Sequence, residues 1–201
     1  DQIIRWGETR EERLTNDSGD EKARLMKSIL ILCMPYLKSN DTIAVLFRGN
    51  NYKGSQIDYF KNKLIRVLYK LKISGNIVDD FEKRISFNTA HKMKGLERDV
   101  IFIVSPHCGA FPMLHSDLLL YRIFGDSLER AFEDEKKLFY VALTRAKRRL
   151  VFLNETGIDS ESPFLQRISH FVGKQKINGR ALLDHPEVKL GRRINAEEEI
   201  R

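Results

Sequence analysis

The chain has 201 residues, 42% of them hydrophobic, which suits one globular domain with appendages. No apolar run approaches the roughly 20 residues of a membrane-spanning helix, and the polar start shows no signal peptide. The two cysteines, Cys33 and Cys108, form no metal-ligand pattern, so we expect a reducing, cytoplasmic setting and no metal held by this chain. The net charge of +7 permits contact with nucleic-acid phosphates without establishing it.

The first part of the chain predicts a helix, a buried strand and a second helix. Residues 1–19 are polar and mixed in charge, and we expect a linker there. Apolar residues at helical spacing predict an amphipathic helix over 20–34, which Pro35 should end. The apolar run 42–47 contains β-branched residues and predicts a buried parallel strand. Helical spacing over 54–72 predicts a second helix, whose basic face is either solvated or in contact with nucleic acid.

The second part predicts two further strands separated by helices. Buried strands are predicted over 99–104 and 149–154, and an apolar helical piece lies at 118–124. Over 135–150 the apolar residues recur at helical spacing, with acidic residues near the start and basic residues near the end, as the helix dipole favours. A closing helix is expected over 162–172.

These elements divide the chain into three parts: a linker over 1–19, an α/β domain over 20–172 and a weakly ordered polar tail over 173–201. Polar residues appear directly after the predicted strand 42–47. That end of a parallel strand is where ligands bind in open α/β sheets.

Arg145 is the odd member of the helix predicted over 135–150. It lies seven residues after Leu138 and four after Val141, so it points from the edge of the apolar stripe. A guanidinium needs an anion or water as a partner, because it does not deprotonate in proteins. From the residues alone, an anion contact and a solvated basic helix end remain equally open.

Three short motifs follow one another along the chain. Residues 43–50 read I-A-V-L-F-R-G-N, residues 89–97 read T-A-H-K-M-K-G-L-E, and residues 139–147 read F-Y-V-A-L-T-R-A-K. In the same order, they resemble the fourth, fifth and last conserved motifs of superfamily 1 DNA helicases of the UvrD/Rep/PcrA type. The middle motif is the most specific of the three. The resemblance covers roughly residues 20–154 and implies a RecA-like parallel sheet with flanking helices.

The resemblance implies several contacts to ATP. In the family the arginine of the last motif reaches the γ-phosphate across a domain interface, and Arg145 holds that position here. By the same match Phe47 would stack on the adenine, Arg48 would contact the phosphates and Glu97 would bond the ribose. Gly95 would allow the backbone to approach closely. Without the resemblance, Phe47 would be plain core and Arg48 a solvated strand end.

The resemblance also implies contacts to single-stranded DNA. Thr89 and His91 match family residues that lie against the DNA backbone, and Lys92 would add a phosphate contact. Taken alone, His91 would more often be a capping or packing histidine. The chain departs from the family at Lys92, where a small or polar residue is usual, at Phe47, where tyrosine is usual, and at Cys108, where glutamate is usual.

Two parts of the family pattern do not occur in this sequence. No G-x-x-x-x-G-K-[ST] loop is present, so the groups that cradle the phosphates and hold Mg²⁺ are expected on a first RecA-like domain that is not part of this chain. Only residues 51–86 separate the fourth motif from the fifth. The large domain that the family usually inserts there is therefore short or missing.

The resemblance implies the second RecA-like domain of an ATP-dependent DNA helicase. Its expected cofactors are ATP and Mg²⁺, and its expected partners are single-stranded DNA and the P-loop domain, without which this chain should be inactive. Two alternatives stay open: a nucleic-acid-binding module that lost the motor, and a helicase-like subunit that regulates a partner ATPase. The residues leave open the oligomeric state and the choice between DNA repair, replication restart and plasmid maintenance.

Overall fold

A computed structural model gives the fold and describes residues 2–6, 21–52, 54–106, 109–114, 127–155 and 161–176. The strands are β1 (Gln2–Trp6), β2 (Ile43–Phe47), β3 (Asn51–Tyr52), β4 (Ser55–Gln56), β5 (Ile85–Thr89), β6 (Arg98–Val104), β7 (Ala146–Glu155) and β8 (Gly173–Lys176). The helices are α1 (Glu21–Cys33), α2 (Ile57–Lys70), α3 (Gly75–Arg84), α4 (Leu128–Leu143) and α5 (Pro163–Ile168). Short 3₁₀ turns lie at Met34–Tyr36, His91–Met93 and Ser169–Phe171.

Six strands form one sheet in the order β5-β2-β6-β7-β1-β8, and each neighbouring pair is parallel. β3 and β4 form a separate antiparallel pair. Parallel strands need crossover connections, and the helices that supply them cover both faces of the sheet. The predicted α/β class, a RecA-like parallel sheet with flanking helices, is confirmed. None of the helices described here has the length and apolar character to cross a membrane.

Alternation along the central strands divides the core into two clusters. In β2, Ile43, Val45 and Phe47 belong to one cluster, whereas Ala44 and Leu46 border the other. This follows from strand geometry, because successive side chains point to opposite faces of a sheet. α1, α2 and α3 cover the first face, and α4 and α5 cover the second.

Most predicted elements are present with small changes at their ends. α1 and β2 confirm the helix predicted over 20–34 and the strand predicted over 42–47. β6 confirms the strand predicted over 99–104. α2 and α3 fill the short connection between the fourth and fifth motifs, and α5 with the following 3₁₀ turn forms the closing helical segment.

The helix predicted over 135–150 is wrong at its start. α4 spans Leu128–Leu143, and the Ser127 hydroxyl caps it by accepting a hydrogen bond from the Arg130 backbone N–H at 3.1 Å. Glu135 consequently lies in the middle of the helix. It is too far from the first turn to complement the helix dipole, which acts within that turn.

The same prediction is wrong at its end, where the chain forms a strand. Ala146 begins β7 opposite Arg98 of β6, and Leu150 lies opposite Ile101. Leu150 is buried there. Hydrogen bonding to β6 and this burial outweigh the helical spacing of the apolar residues. Arg145 therefore lies in the turn between α4 and β7, not on a helix.

Both ends of the described chain add strands to the sheet. Gln2–Trp6, within the predicted linker, is β1 and pairs with β7 and β8. Gly173–Lys176, within the predicted tail, is β8. The sheet thus extends beyond the predicted limits of 20–172, because strands remote in sequence supply the hydrogen bonds. The helical piece predicted at 118–124 and Cys108 lie outside the described residues.

Thr42 and Asp99 join the beginnings of β2 and β6. The Asp99 carboxylate accepts hydrogen bonds from the Thr42 backbone N–H at 2.8 Å and from the Thr42 hydroxyl at 2.6 Å. The Thr42 oxygen accepts in turn from the Asp99 backbone N–H at 3.2 Å. The hydrogen bonds from Thr42 lower the pKa of Asp99, because they favour the charged carboxylate.

We expect Asp99→Asn to lower the free energy of unfolding by about 1 kcal/mol at neutral pH, because the bonds from Thr42 lose their charged acceptor. The folded-state pKa of Asp99 is lowered, so its stabilisation is present above the unfolded pKa of about 3.9 and is lost as pH falls through the folded value. Urea unfolding should therefore show the difference between wild type and variant shrinking in acid. A difference that stayed constant down to about pH 2 would contradict this account.

Candidate nucleotide and nucleic-acid site

A short crossover carries the chain from the C-terminal ends of the strands, which form one edge of the sheet, back to their N-terminal ends at the opposite edge. β5 ends at Thr89 at the C-terminal edge, and β6 begins at Arg98 at the opposite edge. Residues 90–97 cross the face that α4 covers, where Ala90 and Met93 are buried in the same cluster as the apolar side of the helix. The fifth motif therefore has its first residues at one sheet edge and its last at the other.

Gly95 gives this crossover a conformation that other residues rarely adopt. Its φ is +81°, in the region where a Cβ is strained. A Cβ built at Gly95 would meet no atom within 4 Å, so protein packing does not demand the missing side chain. Within the described chain, the role of Gly95 is to allow the positive φ that the backbone adopts at this point.

The N-terminal edge of the sheet brings Glu97 and Arg145 together. The Arg98 backbone N–H donates to the Arg145 carbonyl at 3.0 Å, which joins the start of β6 to the turn before β7. Glu97 is exposed, and its carboxylate lies 3.8 Å from the Lys147 ammonium. The residues predicted to contact the ribose and the γ-phosphate are thus neighbours at one edge.

The end of α4 holds the Arg145 side chain. Its Nε donates to the Val141 carbonyl at 3.2 Å, and its Nη2 donates to the Thr144 hydroxyl at 3.1 Å. Across the ranges that the structure covers, no carboxylate lies within ion-pair distance of this guanidinium. Its charge is therefore not neutralised by those residues and remains able to bind an anion.

Arg48 follows β2 at the C-terminal edge and bends back over the face that α4 covers. Its Nε donates to Glu135 Oε2 at 3.0 Å, and its Nη2 pairs with Glu135 Oε1. The guanidinium carbon lies 5.9 Å from the centre of the Phe111 ring, in a cation–π contact. Arg48 is therefore an ion-paired residue in this structure, not a solvated strand end.

Arg48 and Arg145 are not adjacent in the chain fold. By the strand registers, their Cα atoms are roughly 25 Å apart along the strand direction, at about 3.3 Å per residue. Pairing with Glu135 shortens this separation for the guanidinium. It lies beside the middle of α4, about 12 Å along the helix axis from Leu143.

Phe47 is a core residue in this structure. Its side chain is 1% exposed, and its ring centre lies 5.5 Å from that of Tyr52, 5.4 Å from that of Phe60 and 6.3 Å from that of Phe87. Phe47 faces the α2 side because neighbouring strand residues point to opposite faces, whereas Arg48 leans over α4. A ring so enclosed offers no face to an adenine. We therefore correct the stacking prediction and assign Phe47 to the core.

A polar groove of about 390 Å³ opens at the C-terminal edge beside β5. Side-chain amides contribute much of its lining, from Asn50, Asn51, Gln56 and Asn88. Thr89 and Lys92, both predicted DNA contacts, line the same groove together with one carboxylate, from Asp58. Amides can donate and accept hydrogen bonds, and an ammonium attracts phosphate, so the lining suits a sugar–phosphate backbone.

The three predicted DNA contacts differ in their burial and in their position relative to this groove. The Thr89 hydroxyl is buried and accepts a hydrogen bond from the Lys92 backbone N–H at 3.3 Å, so it shapes the turn that follows β5. The side chains of His91 and Lys92 are exposed. Lys92 lines the groove, and His91 lies beside it in the same 3₁₀ turn.

Sequence patterns did not single out the groups that accompany these residues. Three of the groove amides lie at or within the β3–β4 pair that follows β2, and the fourth lies near the end of β5. Polar residues after a buried strand were the available signal. Glu135 was interpreted as a complement to the helix dipole, because the helix was expected to begin there. Phe111 belongs to the segment 109–112, G-A-F-P, which is similar to a loop of the family, but the pattern gave its ring no role.

A fully parallel sheet with helices on both faces, and with charged groups at both ends of its strands, agrees with the predicted RecA-like α/β class. The sequence of residues 56–156, just over half of the chain, matches the family described as UvrD-like helicase C-terminal domain. The chain belongs to this family. The matched range contains Thr89, Glu97 and Arg145, and Arg48 lies just before it.

Named relatives are DNA helicases. A probable DNA helicase from Mycoplasma pneumoniae is 32% identical over 129 residues, which cover 63% of this chain and 20% of that protein. A probable DNA helicase II homolog from Mycoplasma genitalium is 32% identical over 50% of this chain and 13% of that protein. The ATP-dependent DNA helicase PcrA of Bacillus subtilis is 34% identical over 42% of this chain and 11% of that protein. The chain therefore spans a small part of the length of each relative.

We expect Phe47→Ala to lower the free energy of unfolding by about 3–5 kcal/mol in the absence of nucleotide, because it opens a cavity among three packed rings. Phe171→Ala is the matched control, since that ring is 78% exposed and its loss should change stability by less than about 0.5 kcal/mol. Urea unfolding measures both. Equal, small effects would mean that Phe47 is not a core residue.

Proposed function

We propose that this chain is the second RecA-like motor domain of an ATP-dependent DNA helicase, in which ATP hydrolysis drives movement along single-stranded DNA and duplex unwinding. Family membership and the names of the relatives support the helicase class. The observation that carries the proposal is the crossover 89–97. It has groove residues suited to a nucleic-acid backbone at one end and Glu97 beside Arg145 at the other.

The proposed nucleotide contacts are Arg145, Arg48 and Glu97. Arg145 supplies a guanidinium without a carboxylate partner in the described chain, and it would stabilise charge that develops on the γ-phosphate. Arg48, beside the middle of α4, would contact a phosphate of the same nucleotide, and Glu97 would accept a hydrogen bond from a ribose hydroxyl. Gly95 would shape the backbone that presents Glu97.

ATP would bind between this domain and a first RecA-like domain that carries the P-loop. The described residues contain no group of three or more His, Cys, Asp or Glu side chains placed to hold a metal ion. The Mg²⁺ ligands are assigned to the P-loop domain on the resemblance alone. Bound there, Mg²⁺ would offset phosphate charge, while Arg145 would bind from the opposite side of the cleft.

Single-stranded DNA would lie along the groove at the C-terminal edge. Lys92 and His91 would contact phosphates, and Thr89 would hold the turn in place. The crossover is short, and Ala90 and Met93 anchor it beneath α4. A displacement of the crossover at its DNA end would therefore displace its nucleotide end as well, which gives a physical basis for coupling the two ligands.

We expect Arg145→Ala, made in the natural protein that contains this chain, to reduce DNA-stimulated ATP turnover by about 10³–10⁵-fold, the usual contribution of an arginine finger. Arg149→Ala is the matched control. It too removes a guanidinium from the region just after α4, but the Arg149 group donates to the Tyr36 hydroxyl at 3.0 Å, and turnover should change little.

Steady-state ATPase assays with and without single-stranded DNA measure both variants. Turnover of Arg145→Ala within a few-fold of wild type would reject the finger assignment. Absence of ATPase activity in the wild-type protein would favour one of the alternatives, a nucleic-acid-binding module or a subunit that regulates a partner ATPase.

We expect Lys92→Ala to weaken binding of single-stranded DNA and to reduce the slope of log K against log salt by about 0.7, the value for one lost phosphate contact. Lys136→Ala is the control, because that ammonium is exposed on α4 and pairs with Glu133 at 3.0 Å. Fluorescence anisotropy at several salt concentrations measures the slope. An unchanged slope for Lys92→Ala would place the DNA elsewhere.

A further inference from the structure

The Arg48–Glu135 pair is enclosed and well formed. The Arg48 side chain is 13% exposed and that of Glu135 12% exposed, although the two residues lie 87 positions apart in the sequence. Two guanidinium nitrogens, Nε and Nη2, face the two carboxylate oxygens, which is the side-on arrangement of a bidentate pair. Such a pair fixes the plane of the guanidinium as well as its position.

The same carboxylate also fixes a loop. Glu135 Oε2 accepts a hydrogen bond from the Met113 backbone N–H at 3.0 Å. The ring of Phe111, two residues earlier, lies beside the Arg48 guanidinium and is itself buried against Phe139 of α4. The loop, the helix and the end of β2 therefore meet at one carboxylate.

The arrangement leaves part of the guanidinium available. Arginine has five N–H groups, and the pair with Glu135 uses Nε–H and one N–H of Nη2. Within the part of the chain that the structure covers, no hydrogen bond to Nη1 is found. The described residues thus leave Nη1 unused, and in the proposed motor this is the group that would meet a second anion while Glu135 holds the other side.

Stability alone is a weak reason for such a pair. Partly burying two charges costs desolvation free energy that the ion pair offsets only when its geometry is good. The carboxylate does, however, determine where the guanidinium lies. Without it, a long flexible side chain at the end of β2 would be free to extend from the sheet edge, away from Arg145.

We propose that Glu135 is a positioning residue for Arg48. It holds the guanidinium over α4, on the side where Arg145 lies, with Nη1 directed to a phosphate oxygen of the nucleotide. This inference rests on the proposed function, because it assumes that Arg48 contacts the phosphates. It assigns to Glu135 an effect on turnover that acts only through Arg48.

A double-mutant cycle on the natural protein that contains this chain tests the inference. Single-turnover ATP hydrolysis with saturating single-stranded DNA is measured for wild type, Glu135→Gln, Arg48→Ala and the double variant. We expect Glu135→Gln to lower the maximal rate by about 10- to 100-fold, the cost of misplacing a reacting group by roughly 1 Å. The ATP concentration for half-maximal rate should change much less. In the Arg48→Ala background, Glu135→Gln should have no further effect.

Two controls separate positioning from folding. Glu133→Gln removes an exposed carboxylate of the same helix that pairs with Lys136, and it should leave the rate unchanged. Thermal melting shows whether each variant is folded. If Glu135→Gln does not fold, Glu135→Asp takes its place in the cycle, since it keeps the charge and withdraws the carboxylate by one methylene.

Each other outcome overturns the inference in a recognisable way. A normal rate for Glu135→Gln with an inactive Arg48→Ala rejects positioning and leaves the proposed function intact. A rate that rises in Glu135→Gln shows that the carboxylate competes with the phosphate. An equal loss in both backgrounds shows that Glu135 acts independently of Arg48. A normal rate for Arg48→Ala removes Arg48 from the proposed nucleotide contacts, and the inference fails with it.

Discussion

Parallel pairing of β2, β6 and β7 decides where each charged group of the site lies. Because these strands run the same way, residues that follow a strand lie at one edge, and residues that precede a strand lie at the other. Arg48 and Thr89 therefore share the C-terminal edge, and Glu97 and Arg145 share the N-terminal edge. Any ligand that contacts both sets must span the sheet or act through elements that do.

α4 and the crossover 89–97 are two such elements, and they pack on each other. The two buried residues of α4, Phe139 and Ala142, hold the helix on the sheet face where the crossover also lies. The middle of the helix binds Arg48 through Glu135, and its end holds Arg145. In the proposed motor, a rigid helix would thus keep two phosphate-directed guanidinium groups at a fixed spacing.

Local sequence patterns predicted an element well where the residues of that element alone determine its secondary structure. β2 and β6 are continuous apolar runs, and α2 has a clear apolar stripe, so each formed close to its expected limits. β1 and β8 are short and carry polar residues, and their place in the sheet depends on pairing with distant strands. Phe47 shows that a local motif does not settle where a side chain points. The motif placed Phe47 beside Arg48, but side chains alternate along a strand, and the Phe47 ring is buried in the core.

By itself, the sequence determined the α/β class, the order of the three motifs and the family to which they point. The tertiary structure alone decided that residues 146–148, predicted only as helix, begin strand β7, because a strand at this position depends on hydrogen bonds to β6. It also decided that Arg48 meets Glu135, a contact between residues 87 positions apart that no local spacing encodes. The sequence identifies the charged residues and the motifs. The residues that they contact depend on which strands and helices pack side by side in the folded protein.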